Sequence, residues 1–239
     1  GVIADYAVTE AMLKYFITRA VGKAWLFRPD IMICVPAGCT QVERRAAQDA
    51  TIAAGARQVY LIDEPLAAAI GAGIPIAEAS GNMILDIGGG SAESAVIALG
   101  GVVVHKSVRV GGTKLDEAIM DYARRTHSLI IGDQTAETVK IKIGSATKLA
   151  REESMNVKGR DVVSGLPRTV VFTSADVFQA MQKPLSQIVG VVKAVLEETP
   201  PELASDIIDR GIVMSGGTST LRNLDALLTK EVGVPAYVA

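Results

Sequence analysis

Aromatic side chains are scarce in this sequence, at 4% of 239 residues, although 49% of the residues are hydrophobic. The apolar content is therefore mostly Ala, Val, Ile and Leu. With 23 glycines, that mixture suits an α/β protein built from Val/Ile strands and Ala-rich helices. Cysteine is nearly absent, with only Cys34 and Cys39, which excludes a disulfide framework and favours a reducing compartment. Their spacing lacks a second ligand pair, so buried free thiols are expected rather than zinc. Neither charge sign prevails: 24 basic against 26 acidic residues give a net charge of −2. No basic field is available for nucleic acid. There is no recognisable signal peptide, and no apolar run reaches the roughly 18 residues that would cross a bilayer. Gly1 in place of Met, and a strand-like final stretch Val234–Ala239, read as a chain truncated at both ends.

Helix and strand signals alternate along the chain. Apolar residues at helical spacing predict a helix over 5–21. Ile31–Val35 reads as a buried strand stopped by Pro36 and Gly38. Thr40 and Glu43 form a capping box for a helix ending near Gly55. A strand over 58–62 follows, then a helix over 66–72 with Pro65 in its first turn. Three short strands, 82–86, 92–99 and 102–110, are close enough in sequence for antiparallel pairing. Helices are expected from Thr113 to Arg125, from Thr135 to Arg151 and from Ser174 to Glu198, the last bent near Pro184 and Gly190. Residues 152–173 read as a hairpin. Thr199 and Glu202 repeat the capping-box pattern, and a strand over 211–214 leads to a helix over 221–230.

Three segments carry chemistry. In Met83-Ile84-Leu85-Asp86-Ile87-Gly88-Gly89-Gly90-Ser91 an apolar strand delivers an acid and then three glycines. Backbone without Cβ atoms can turn sharply and aim N–H groups at phosphate oxygens, while an acid at a strand end can hold magnesium through its waters. Read alone, the same residues also make a tight hairpin with a solvent-facing Asp. Gly211–Thr218 again ends a buried strand in a glycine pair, Gly216-Gly217, which suits a nucleotide at a helix start or an ordinary turn. Glu64, before the Pro-started helix, stands at the mouth of a sheet, where it could orient a water toward a γ-phosphate or favour the helix dipole.

Leu61–Gly71, Asp86–Gly90, Thr135–Gly144 and Gly211–Thr218 occur in the order used by the actin/Hsp70/sugar-kinase ATPase superfamily. The wording of Val42–Ala46, Glu64–Gly71, Leu115–Ile119, Thr135–Glu137 and Pro200–Leu203 resembles the MreB family of bacterial actin homologues, along essentially the whole chain. The resemblance implies an actin-like ATPase (ribonuclease H-like) α/β fold, with mixed sheets flanked by helices. Residues 1–78 would form part of a first lobe, 79–114 and 173–239 the inner second lobe, and 115–172 its outer subdomain. It implies ATP or ADP with Mg2+ as cofactors and slow ATP hydrolysis. It also implies rod-shape determination through homopolymer filaments that lie in the cytoplasm against the inner face of the membrane and guide cell-wall synthesis, with cell-elongation membrane proteins such as RodZ as partners.

Residue by residue, Glu64 matches the position that places the hydrolytic water, and Asp86 the acid behind magnesium. Gly88, Gly89, Gly90 and Ser91 match the second phosphate loop. Glu137 and Lys140 match the ribose and adenine contacts, although by spacing alone they read as a surface ion pair. Gly216, Gly217 and Thr218 match the adenosine loop. Trp25, Leu26 and Phe27, flanked by Lys23 and Arg28, resemble a membrane-insertion loop; by residue type alone they serve equally as a loop tucked onto the domain core. The family's first phosphate loop, the outer subdomain after it and the final helix have no counterpart here. Where the family usually has Thr-Thr-Asp/Glu and a β-branched residue, this chain has Ser91-Ala92-Glu93-Ser94, losing a hydroxyl near the phosphates and gaining a polar group in a strand. Asp63 and Lys142 stand for commoner glutamates. A small-molecule kinase or a chaperone-type ATPase of the same superfamily is the alternative. No segment supplies a sugar site, and no length remains for a chaperone's β-domain.

Overall fold

The computed structural model describes residues 5–22 and 28–239. Trp25, Leu26 and Phe27 lie outside the described residues. Helix α1 (Tyr6–Val21) starts where Asp5 accepts the Val8 N–H, and α2 (Gln41–Ala53) carries the expected Thr40–Glu43 capping box. Between and after them run β1 (Asp30–Val35) and β2 (Gln58–Asp63), parallel neighbours in a two-stranded layer, followed at once by α3 (Glu64–Gly71).

Strands β3 (Asn82–Ile87), β4 (Ala92–Ala98) and β5 (Gly101–Val108) form the predicted antiparallel meander. Two later strands, β9 (Ile212–Ser215) and β10 (Ala236–Val238), add in parallel to β3, giving a five-stranded sheet in the order β10-β9-β3-β4-β5. Period-two alternation splits β3 between two cores. Met83, Leu85 and Ile87 enter the large one, and Ile84 the small one beneath α3 with Ala69, Ala95 and Ile97.

The large core is closed by α4 (Gly112–His127), α5 (Asp133–Ile143), α6 (Ser174–Glu198) and α8 (Leu224–Val232). Helix α6 presents Val177, Met181, Leu185, Ile188, Val192 and Val195 at three- and four-residue intervals, all buried. Burying each is worth about 2 kcal/mol. The helix runs unbroken through Pro184. A three-stranded sheet, β6 (Leu129–Ile130), β7 (Ser154–Asp161) and β8 (Pro167–Thr173), packs on the far side of α4 and α5; its strand β6 was not anticipated. Helix α7 (Pro201–Arg210) precedes β9.

Four expectations are corrected. Helix α5 stops at Ile143 rather than Arg151. A Cβ on Gly144 would sit 2.2 Å from the Lys140 carbonyl, and the next backbone groups bond elsewhere: the Ala146 N–H donates to the Arg222 carbonyl at 2.8 Å. Thr199 does not cap α7, because its hydroxyl donates back to the Val195 carbonyl at 2.6 Å and Pro200 takes the cap position. The cysteines are not buried: Cys34 is exposed and Cys39 half-buried. Ala92 leaves no missing hydroxyl in the cleft, since its side chain is fully buried in the large core. Ser94, also fully buried, donates to the Ile84 carbonyl at 3.1 Å, so its polarity is satisfied inside the sheet.

Candidate functional site

Three glycine corners meet at the ends of β3 and β9. The first, Gly88–Gly90, turns β3 into β4. The second, Gly111-Gly112, opens α4. The third, Gly216-Gly217, leaves β9. They are hydrogen-bonded to one another: the Gly112 N–H donates to the Gly88 carbonyl at 3.0 Å, the Thr113 N–H to Gly89 at 2.8 Å, and the Thr218 hydroxyl to Gly88 at 2.9 Å. At Gly111, Gly112 and Gly216 the packing leaves no room for a side chain. A Cβ on Gly111 would lie 2.4 Å from the Gly88 carbonyl oxygen, and one on Gly216 would lie 2.4 Å from that of Ile87 and 2.8 Å from Asp86 Oδ1. Gly216 also holds φ 84° and ψ 158°, which only glycine adopts readily.

A cavity of about 610 Å³ opens beside these corners, a size suited to a small-molecule ligand. Its walls include Gly89, Gly217, Thr218, Glu137 and Lys140, so two of the expected glycine segments and both α5 residues converge there. Asp86, Gly88, Gly90, Ser91 and Gly216 stand at the seam behind it rather than in its wall. Asp86 pairs with Ser215 across β3 and β9, half-buried. Gly217 opens a turn of 3-10 helix, Gly217–Thr220, ahead of the helix expected from Leu221. The hydroxyls of Ser219 and Thr220 donate to the carbonyls of Gly216 and Gly217 at 2.6 and 2.7 Å, tightening the chain, and α8 starts only at Leu224.

Lys140 does not pair with Glu137. It reaches across to α4, donating to Asp116 at 3.0 Å and to the Gly112 carbonyl at 3.2 Å, while Glu137 is exposed. Burial raises the Asp116 carboxyl above its usual range, against the pull of Lys140. Asp116 was missed as a site residue. The available signal was Gly111-Gly112-Thr113, a glycine pair opening a helix much as Gly216-Gly217-Thr218 was expected to. Lys140→Ala is expected to destabilise the protein by about 3 kcal/mol, because it strands a half-buried carboxylate. Urea unfolding measures this, and a loss under about 0.5 kcal/mol, as for an exposed pair, would show that the pair is effectively solvated.

On the other side of Asp86, Glu64 begins α3. Its neighbour Asp63 makes no cap and instead pairs with Arg44 of α2. Glu64, Asp86 and the almost fully buried Glu93 of β4 face one another. Burial pushes the carboxyls of Glu64 and Asp86 up, Glu64 further so by the charge of Asp86, while the Ser215 hydroxyl pulls Asp86 back. Glu93 is pushed up to about 7, by burial first and then by the charges of Glu64, Asp63 and Asp86, against a backbone hydrogen bond from Ala37. Among the described residues no group of three metal-ligating side chains could hold an ion unaided. Asp86, at the strand end, fits magnesium held through its waters, an ion that takes its other ligands from phosphates.

A split α/β body with glycine corners meeting beside a cavity is the architecture of the actin-like proteins. Solved structures agree. The chain superposes on MreB5 of Spiroplasma citri bound to ADP with a TM-score of 0.93 at 37% identity, covering 100% of this chain and 72% of that one, and equally on MreB5 bound to AMPPNP. A MamK double helical filament, 18% identical over 98% of this chain and 70% of that one, shares the fold with a TM-score of 0.80. The MreB/Mbl protein family profile matches residues 1–239. Cell shape-determining protein MreB of Escherichia coli (strain K12) is 50% identical over 240 residues, covering 100% of this chain and 69% of that protein. The chain belongs to the MreB/Mbl family.

Proposed function

We propose that this chain binds ATP and ADP with Mg2+ between two lobes, hydrolyses ATP slowly, and polymerises into filaments that determine cell shape at the membrane. The observation that carries the reading is the mutual packing of the three glycine corners beside the cavity, with Asp86 at their seam. In it, residues 1–78 belong to the first lobe, 79–114 and 173–239 to the inner second lobe, and 115–172 to the outer subdomain. Similarity to proteins bound to ADP and AMPPNP supports the choice of nucleotide.

In this scheme the loop Gly88–Ser91, closed by the Gly88 N–H donating to the Ser91 carbonyl at 2.9 Å, turns the backbone N–H groups of Gly89, Gly90 and Ser91 to phosphate oxygens, and Asp86 holds magnesium through water. Glu137 and Lys140 border the ribose and adenine, with Gly216, Gly217 and Thr218 against the adenosine. The magnesium nucleotide supplies an activated phosphoryl group. Glu64 orients the attacking water, and the protein's remaining work is positioning. Family membership supports the rest of the reading: filament formation, contact of Trp25, Leu26 and Phe27 with the membrane, and pairing with membrane proteins such as RodZ. No described helix is long and apolar enough to cross a membrane.

Titration with a fluorescent ATP analogue and Mg2+ tests the reading. Binding should be saturable. It should weaken at least tenfold in Gly112→Val, whose new Cβ would lie 2.8 Å from the Thr218 hydroxyl. Wild-type protein that binds no nucleotide refutes the proposal. ATP-dependent light scattering should accompany binding, whereas phosphorylation of added sugars would favour a kinase instead.

A further inference from the structure

Glu93 is a charged residue inside a sheet with no role in the scheme above. It is 4% exposed and sits opposite Asp86 in the β3–β4 register, on the same face of β4 as Ala95 and Ile97. That face lies beneath α3. Glu93 Oε1 accepts the Ala37 N–H at 3.1 Å. Ala37 lies in the turn after β1, where the Cys39 N–H donates to the Pro36 carbonyl at 3.0 Å. His105 of β5 supports the same turn: its Nδ1 is 3.9 Å from Glu93 Oε1, and its Cε1 lies 3.5 Å from where a Gly38 Cβ would stand. Among the described residues, the bond from Ala37 to Glu93 is the one direct hydrogen bond joining residues 5–72 to residues 79–239.

The remaining attachment of the two-stranded layer lies at its α3 end, where the segment after α3 also accepts the Gly100 and Leu99 N–H groups on the Ile76 and Glu78 carbonyls at 2.7 and 2.8 Å. It runs through α3, whose Leu66 and Ala69 pack on Ile84 and Ile97. Attachment at one end leaves the layer able to pivot about that end, and a directional hydrogen bond away from it removes that freedom. The residues whose spacing this fixes are Glu64, at the start of α3, and Asp86, across from Glu93.

We infer that Glu93 is a positioning residue: it tethers the Pro36–Cys39 turn to the five-stranded sheet and so sets the separation of Glu64 from Asp86 on which hydrolysis depends. The inference rests on the proposed nucleotide function for its kinetic consequence, but not for the tether itself. The tether needs an acceptor oxygen and no charge, so glutamine should replace glutamate, whereas leucine should not.

Two measurements test it. Without nucleotide, residue-resolved hydrogen exchange should show the Ala37 amide protected at least tenfold over a free turn amide in wild type and in Glu93→Gln, and unprotected in Glu93→Leu. With nucleotide, single-turnover hydrolysis should fall at least tenfold in Glu93→Leu, with ADP affinity changed less than threefold, and stay within twofold of wild type in Glu93→Gln. A merely structural role would move affinity and rate together. A freely exchanging Ala37 amide in wild type overturns the tether, and needs no variant to fold. Equal loss of hydrolysis in the Gln and Leu variants overturns the positioning role, because the carboxylate charge would then act directly. Wild type that holds the Ala37 amide but binds no nucleotide refutes the proposed function and the kinetic role together, leaving only the tether.

Discussion

Gly216→Ala is expected to cost the fold on the order of 4 kcal/mol, from backbone strain and overpacking together. The φ of 84° and ψ of 158° at this position disfavour any side chain. The atoms that a Cβ would meet are the Ile87 carbonyl carbon and oxygen and Asp86 Oδ1, at 2.4 to 2.8 Å. The first two are backbone inside a five-stranded sheet and cannot step aside. Gly217→Ala, one residue along, is the control: nothing lies within 4 Å of its Cβ position, so a change within about 0.5 kcal/mol is expected. Urea denaturation midpoints compare the two. Equal losses would mean that β3 and β9 do not close against each other at this corner, and the proposed nucleotide site would go with it.

The second large effect is on pH dependence. In magnesium-free buffer, Glu93→Gln should match the parent's stability near pH 4.5 and exceed it progressively toward pH 8. The folded carboxyl titrates at about 7 against an ordinary value of 4.5. Between those values the native protein keeps a proton that the unfolded chain has released. Glu93 therefore contributes stability below the unfolded value, and that contribution is lost as pH rises to about 7, at up to about 1.4 kcal/mol per pH unit. Above that the difference is constant. Glutamine resembles the protonated form at every pH. Glu64, Asp86 and Asp116 are also raised by burial and act in the same sense, but they are common to both proteins and cancel in the difference. A stability difference independent of pH would show that Glu93 is hydrated and not held in the sheet.

The elements that could be read from the chain were those whose signal is local. The capping box at Thr40 and Glu43, the meander of β3 to β5 and the spacing of apolar residues along α6 depend on neighbours within a few positions, and all are present. Errors fell where a distant partner overrode the local pattern. The stretch after Gly144 has helical residues, yet its backbone bonds to Arg222 and its Ser145 hydroxyl to Asn223. The helix expected from Leu221 begins only at Leu224, after a turn in which the Ser219 and Thr220 hydroxyls bond to their own backbone.

By itself the sequence determined the family, the order of the strands and helices apart from the short β6, and the glycine segments where the chain gives up side chains. Those are properties of short stretches, and each stretch carries its own evidence. Only the tertiary structure decided which groups face one another. It turned Lys140 from Glu137 to Asp116, added Gly111 and Gly112 to the glycine seam, put Ala92 in the core and buried Glu93 against Ala37. Partner choice between residues far apart in the chain is fixed by packing and by the need to satisfy buried polar groups, and neither leaves a mark on a residue's sequence neighbours.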